Sequence, residues 1–330
     1  GKKSPGFPNA APVLPTLGNN PSIWSSDTAS ILSEYQWNIN DQFTTFLGLR
    51  LDQNDYTSDL WSGRFALVCA PTMQDTLKFI YNHSVRRMDE TELRQSELEG
   101  NDTGRTEKFN NYEFRYERQH SQEFWSGFSA FYVDYDIIAW NGKQRSTEPL
   151  GNFTYYGLEL EMLYQTERYK LSLAHSFIKH LDFESETAGS TNNVSASDLG
   201  YGDDLANWYK HQTSISGHYK FNEKWKVTAS LGILWALPGG KDLADYNEAN
   251  GEKNGLPQYD EDYDDRAWEE SIFLNMGLEY RPTENLTLRL DAYNMLGWID
   301  KDYNKVNEFQ RTDHYQNEAA ALSFSVRYKF

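Results

Sequence analysis

The feature that most constrains this chain is a strict two-residue alternation at its end, repeated in a dozen earlier segments. From Ala320 to Phe330, the residues Leu322, Phe324, Val326, Tyr328 and Phe330 take one parity, and Ala321, Ser323, Ser325, Arg327 and Lys329 take the other. Successive side chains of a strand point to opposite faces, so such a segment carries one apolar and one polar face. In a soluble sandwich the apolar face would turn inward. Here the last segment closes on the aromatic Phe330 and the same two-faced pattern recurs in the earlier segments, which fits a wall apolar toward lipid and polar toward an enclosed lumen.

Taken in order, the alternation predicts strands at Thr28–Asn38, Gln42–Asp52, Trp61–Ala70, Thr76–Arg86, Asn111–Gln119, Phe124–Ile138, Phe153–Gln165, Tyr169–His180, Trp208–Phe221, Trp225–Trp235, Trp268–Arg281, Leu286–Leu296 and the terminal segment. In the fourth, Leu77, Phe79, Tyr81 and Val85 face one way, and Lys78, Asn82, Ser84 and Arg86 the other. The connections alternate between short turns and long stretches, the long ones being Arg87–Phe109, Asn141–Asn152, Leu181–Asn207, Pro238–Ala267 and Gly297–Asn317. Outer-membrane barrels place short turns in the periplasm and long loops outside. On that rule the C-terminus is periplasmic and the first strand starts outside. Single-chain bacterial barrels normally have an even strand count, so about 13 strands are expected to be the C-terminal part of a larger barrel. Residues 1–23, with five prolines, read as an irregular extracellular segment, and 24–330 as the barrel portion.

Composition narrows the function classes. A mean hydropathy of −0.76 and the lack of any long apolar run exclude helical spans but not barrel strands. The 22 Tyr, 18 Phe and 10 Trp suit membrane–water boundaries. Trp61, Trp140, Trp208, Trp235 and Trp268 are expected in an outer girdle, with Trp125 and Trp225 near the turns. A net charge of −18 argues against nucleic acid as a partner. The acidic loops suit solubility, or divalent ions that bridge lipopolysaccharide. One cysteine, Cys69, leaves no disulfide framework, and the chain opens Gly-Lys-Lys without a secretory signal.

Several strands resemble a family, the TonB-dependent outer-membrane receptors. Phe46-Leu-Gly-Leu-Arg50-Leu-Asp52, Thr76 to Arg86, Asn111-Tyr-Glu-Phe, Tyr132 to Ile138, Gly157-Leu-Glu159-Leu-Glu161, and Leu288 to Leu296 followed by Tyr303 are similar to successive barrel strands of that family. Phe324, Val326, Tyr328 and Phe330 resemble the C-terminal assembly signal of bacterial outer-membrane proteins. The resemblance implies a plugged barrel of about 22 strands, of which this chain supplies the C-terminal part, the early strands and plug coming from another chain or segment. It further implies energy-coupled uptake of a scarce ligand, most often a ferric siderophore, with TonB acting through the plug. A passive porin and a soluble carbohydrate-binding β-sandwich are the alternatives.

No catalytic constellation emerges and no cofactor is expected. The seven histidines lack metal-ligand spacing, and no calcium-loop order is present in the acidic run Asp260 to Asp265. Asp134 and Asp136 are expected to face the lumen together. Arg50, Arg64, Lys78, Arg86 and Arg115 share the polar parity with Asp52, Glu113, Glu117, Glu159 and Glu161. These interleaved signs suit ion pairs along the lumen wall, or alternatively a basic contact for an anionic metal chelate at Arg50, Arg86 and Arg115. Tyr259, Tyr263 and His314, in long outer loops, are the remaining ligand candidates.

Overall fold

The computed structural model describes residues 25–141, 146–185, 209–235, 271–299 and 320–330. They form one antiparallel sheet of 13 strands in sequence order. The strands are β1 (Thr28–Asn38), β2 (Phe43–Asn54), β3 (Leu60–Cys69), β4 (Asp75–Arg87), β5 (Thr106–Gln119), β6 (Phe124–Asn141), β7 (Ser146–Gln165), β8 (Tyr169–Ser185), β9 (His211–Lys220), β10 (Trp225–Trp235), β11 (Ser271–Thr283), β12 (Leu286–Tyr293) and β13 (Ala321–Tyr328). Two helices interrupt the sheet order, α1 (Glu90–Glu99) between β4 and β5 and α2 (Leu296–Ile299) after β12. The Pro-rich segment 1–23 lies outside the described residues.

The register shows how the wall tilts. A single cross-strand row runs Phe43, Cys69, Leu77, Tyr116, Phe128, Leu160, His175, Thr213, Ile233, Ile272. Phe43 is the first residue of β2, Leu77 the third of β4, Phe128 the fifth of β6, His175 the seventh of β8 and Ile233 the ninth of β10. The row therefore climbs one residue per strand. A shift of ~3.3 Å along the strand for every ~4.8 Å across it tilts strands by roughly 35°, within the range of outer-membrane barrels.

The two faces differ in burial as well as chemistry. On a curved sheet the concave face crowds its side chains and the convex face splays them. Ala66, Ser129, Val133, Glu279 and Asp52, all of the polar parity, are buried, while Leu49, Phe79, Phe114, Leu171, Leu278 and Leu290, all of the other, are exposed. On β13, Leu322, Phe324 and Val326 are 65%, 66% and 58% exposed. A water-borne sandwich would bury those residues against a second sheet; among the described residues there is only one sheet. Rings collect at the short-turn end of the convex face. Trp225 stacks on Tyr280 at 4.2 Å, Tyr164 meets Tyr169 at 5.3 Å, and Tyr219 meets Phe221 at 5.0 Å.

The structure departs from the alternation pattern in four places. Arg87–Phe109 is not a plain loop: it holds α1, and β5 starts at Thr106. Asn141–Asn152 is mostly strand, because β6 runs to Asn141 and β7 starts at Ser146. Trp125 leaves the girdle for the concave face, where the Arg115 guanidinium lies 5.9 Å from its ring centroid. Asp134 and Asp136 share the face of Tyr112 and Tyr132, since Tyr112 pairs with Tyr132 and Asn110 with Asp134, so they lie on the convex side, both hydrogen-bonded to Asn152.

Candidate functional site

The concave wall carries two tiers of polar side chains. In the lower tier, Lys78, Arg115, Ser129 and Glu159 form one cross-strand row, and Thr76, Glu117, Gly127 and Glu161 the next. Neighbouring rows on one face lie close enough for diagonal pairs. Glu117 accepts from Lys78 Nζ at 2.9 Å and from Arg115 Nε at 2.6 Å. Arg115 also donates to Ser129 Oγ at 3.0 Å and pairs with Glu161. Arg64, Glu113 and Glu159 make no ion pair among the described residues. Just above this tier the Phe131 ring lies across Gly157: a Cβ there would sit 2.7 Å from Cε1 and Cε2 of the ring. The glycine leaves the space that the ring fills.

The upper tier lies toward the long-connection end. β6, β7 and β8 have 18, 20 and 17 residues. About nine residues cross a ~25 Å apolar band at this tilt, so these three strands project well beyond it. Glu107, 3% exposed, is held on the concave side of the projection. It pairs with Arg86 Nε, and accepts from Tyr135 Oη at 2.9 Å and from the Ile138 amide at 3.4 Å. The Arg86 guanidinium itself is largely exposed. Phe109 meets Tyr135 edge-on, and Phe153 stacks on His180 at 4.9 Å.

Helix α1 covers this tier. Asp89 caps it, accepting from the Glu92 amide at 2.9 Å, and Glu90 and Glu92 suit the positive helix end. It stops at Gly100, whose φ is +71°, with Asn101 N bonding to Ser96 O at 2.8 Å and Gly100 N to Glu97 O at 3.1 Å. That is the paired closure favoured by a left-handed glycine. Leu93 and Ser96 of the helix are buried, as are Met88 just before it and Thr147. Thr147 donates to Glu92 at 3.3 Å, Arg87 donates to Glu90 at 2.5 Å and to Ser26 at 3.1 Å, and Tyr56 donates to Glu97 at 3.3 Å. Burial, then the nearby Asp89 and Glu107 charges, push the Glu92 carboxyl above its ordinary range against the opposing pull of Thr147 and Arg86.

The three arginine candidates are not brought together. Arg50, on β2, chelates Asp52 at 2.8 Å, and Asp52 also accepts from Ser30. Arg115 belongs to the lower tier and Arg86 to the upper. Tyr259, Tyr263 and His314, with the Asp260–Asp265 run, lie outside the described residues. A second polar patch is formed by Lys226, Glu279, Arg281, Arg289 and Asp291, with Arg281–Glu279 at 2.8 Å and Arg289–Asp291 at 2.7 Å. Arg289 and Asp291 of this patch also line a groove of about 380 Å³, together with Lys170, His218, Asn275 and Tyr293. Among the described residues no three His, Cys, Asp or Glu side chains converge on a metal-sized site.

Comparison with known proteins settles which family builds such a wall. A family described as TonB dependent receptor-like, beta-barrel matches residues 2–295. This chain belongs to that family. The TonB-dependent receptor barrel is also the fold of its structural neighbours. The FrpB iron transporter from Neisseria meningitidis superposes with a TM-score of 0.67 at 16% identity, covering 92% of this chain and 45% of that one. The ferric enterobactin receptor from Pseudomonas aeruginosa gives 0.59 at 17% identity, covering 84% and 40%. The siderophore receptor PirA from the same organism gives 0.60 at 12%, covering 92% and 47%. The chain thus spans less than half the length of these neighbours. No curated protein sequence matches it. For a TonB-dependent receptor barrel the convex face meets outer-membrane lipid and the concave face lines the lumen.

Proposed function

We propose that this chain forms the C-terminal wall of an outer-membrane receptor for active uptake of a scarce ligand, a ferric siderophore by analogy with its neighbours. The observation that carries the reading is the inverted sheet: exposed apolar residues outside, paired charges inside, and a capped vestibule at one end. Capture and passage need walls and loops without bond-making, and the concave wall offers ion pairs and aromatic rings rather than a reactive centre. The long connections face the outside and Phe330 the periplasm, with the 1–23 segment among the outer loops. Among the described residues β1 and β13 each pair on one side only. Hydrocarbon does not tolerate such open edges, which supports closure by further strands, with a plug through which TonB acts.

The test is uptake of a radio-iron-labelled siderophore panel by cells relying on the intact receptor, with TonB present or deleted. Uptake lost without TonB supports the proposal. Passive ion conductance with TonB-independent flux would assign a porin instead.

A further inference from the structure

The concave wall is not electrically uniform near its short-turn end. On β4–β7 the basic Lys78 and Arg115 are matched by Glu117 and Glu161. On β8–β13, within six residues of the short-turn ends, the same face carries Lys170, Lys220, Lys226, Arg281, Arg289 and Arg327 against only Glu279 and Asp291. Both acids are already engaged. Glu279 takes Lys226 at 3.4 Å, Arg281 at 2.8 Å and Arg289 at 3.9 Å, and Asp291 takes Arg289 at 2.7 Å. Lys170, Lys220 and Arg327 make no ion pair among the described residues. In a chain of net charge −18 this is a concentrated excess of positive charge.

The excess is crowded rather than spread. Lys220 lies directly opposite Lys226, and Lys170 directly opposite His218 on the neighbouring row. Like charges opposed across two strands destabilise a sheet. Lys170, Lys220 and Lys226 all bear electrostatically on His218, so the four groups form one cluster. A local conflict of this kind, with no acid left in the wall to relieve it, is characteristic of a functional position.

The groove of about 380 Å³ opens among these groups. Short polar side chains line it, Ser216, Thr228, Ser230 and Asn275, between Lys170 and His218 on β8 and β9 and Arg289 on β12. Gly277 keeps it hollow, since a Cβ there would collide with Asp291 Oδ1 and Thr228 Oγ1. Asn275 donates to Ser230 Oγ at 3.3 Å and Thr228 to the Gly277 carbonyl at 3.4 Å. Lys170 and His218 have no hydrogen-bond partner among the described residues. Ammonium, guanidinium and hydroxyl donors around a hollow of molecular size suit the oxygens of carboxylates or phosphates.

We propose that this groove is a binding station for a small anion bearing several carboxylate or phosphate groups, held by Lys170, His218 and Arg289 at the short-turn mouth of the lumen. The Ser216 and Ser230 hydroxyls meet the oxygens that the cations leave. The groove lies toward the opposite end of the wall from the α1 vestibule, so it is a second stop on the way through and not the place of capture. The inference rests on the uptake reading for its use, and it gives the transported ligand an anionic class.

The intact receptor in detergent, without iron or TonB, is titrated by calorimetry at constant ionic strength with tricarballylate, with pyrophosphate and with the uncharged trimethyl ester of tricarballylate. Saturable binding of either anion but not of the ester is expected, weakened roughly tenfold by Lys170→Gln. Lys108→Gln removes the same charge from an exposed position on the convex face and should leave that binding unchanged. No saturable binding of either anion, equal binding of the ester, affinity undiminished in Lys170→Gln, or an equal loss in Lys108→Gln overturns the proposal. Should Lys170→Gln fail to assemble, the comparison of anions with ester on the unaltered protein still decides. Because the titration needs neither TonB nor iron, its failure is distinct from a failure of TonB-dependent uptake.

Discussion

The Arg86–Glu107 pair separates a structural from a ligand-binding role because its two ends are so unequally buried. The Glu107 side chain is 4% exposed and that of Arg86 73%. In Arg86→Ala the carboxylate stays buried with only Tyr135 Oη and the Ile138 amide as donors. Stranding a buried charge costs ~3–5 kcal/mol, and the two remaining donors bring that to about 2–3 kcal/mol here. In Glu107→Gln the buried charge is gone and the exposed guanidinium is hydrated, so the loss is about 1 kcal/mol. The double variant removes the stranded charge, and its loss falls back to about 1 kcal/mol, a coupling of about 2–3 kcal/mol. The assay is hydrogen exchange of the α1 amides in the intact receptor, which reads local opening. Arg86→Ala is expected to speed exchange roughly 30- to 150-fold, and Glu107→Gln or the double variant roughly fivefold. Unchanged exchange in Arg86→Ala, or no recovery in the double variant, refutes the reasoning. Ligand uptake adds the functional half: recovery with stability marks Arg86 as a vestibule brace, and loss despite recovered stability marks it as a ligand contact.

Three further outcomes follow from the same geometry. Because the folded-state pKa of Glu92 is raised, chiefly by burial, its contribution to α1 docking is fully present below the ordinary carboxylate pKa and is lost as pH rises through the raised value; α1 protection should therefore fall more steeply over that window in the unaltered protein than in Glu92→Gln, and parallel pH profiles would remove the assignment. Phe324→Arg puts a charge on the convex face near mid-height and should cost about 2–4 kcal/mol in urea unfolding from lipid vesicles, whereas Ser325→Arg on the concave face should cost about zero; equal losses would mean the faces are misassigned. Gly157→Val places carbon where the Phe131 ring lies and should cost about 1–3 kcal/mol, partly recovered by adding Phe131→Ala, and a neutral Gly157→Val would show that the ring moves freely.

How far the sequence can be read depends on where each residue stands along its strand. Within the apolar band the surroundings differ by side, hydrocarbon against lumen, so polarity reports the face: Phe79 against Lys78, Phe114 against Arg115 and Phe324 against Ser325 all follow from alternation alone. Beyond the band both sides are wet and polarity loses that meaning. Asp134 and Asp136 look like lumen residues by chemistry, yet the register that pairs Tyr112 with Tyr132 carries them to the convex side. Trp125 errs the other way, an aromatic ring on the concave wall because a guanidinium rather than lipid is its neighbour. The strand extensions of β6 and β7 were hidden for the same reason, since Ser146 to Leu150 lack the apolar face that marks a membrane crossing. Helix α1 was legible in principle: Asp89 three residues before Glu92, and Gly100 at its end, bracket one helix inside what otherwise reads as a charged loop. Its amphipathicity is weak because the face it buries includes Gln95 and Ser96 as well as Leu93, packed against Thr147 and near Glu107 rather than against a dry core. The vestibule is thus written in caps and pairing register rather than in hydrophobicity, and those determinants act only once the membrane-embedded half of the wall has fixed which strands stand side by side.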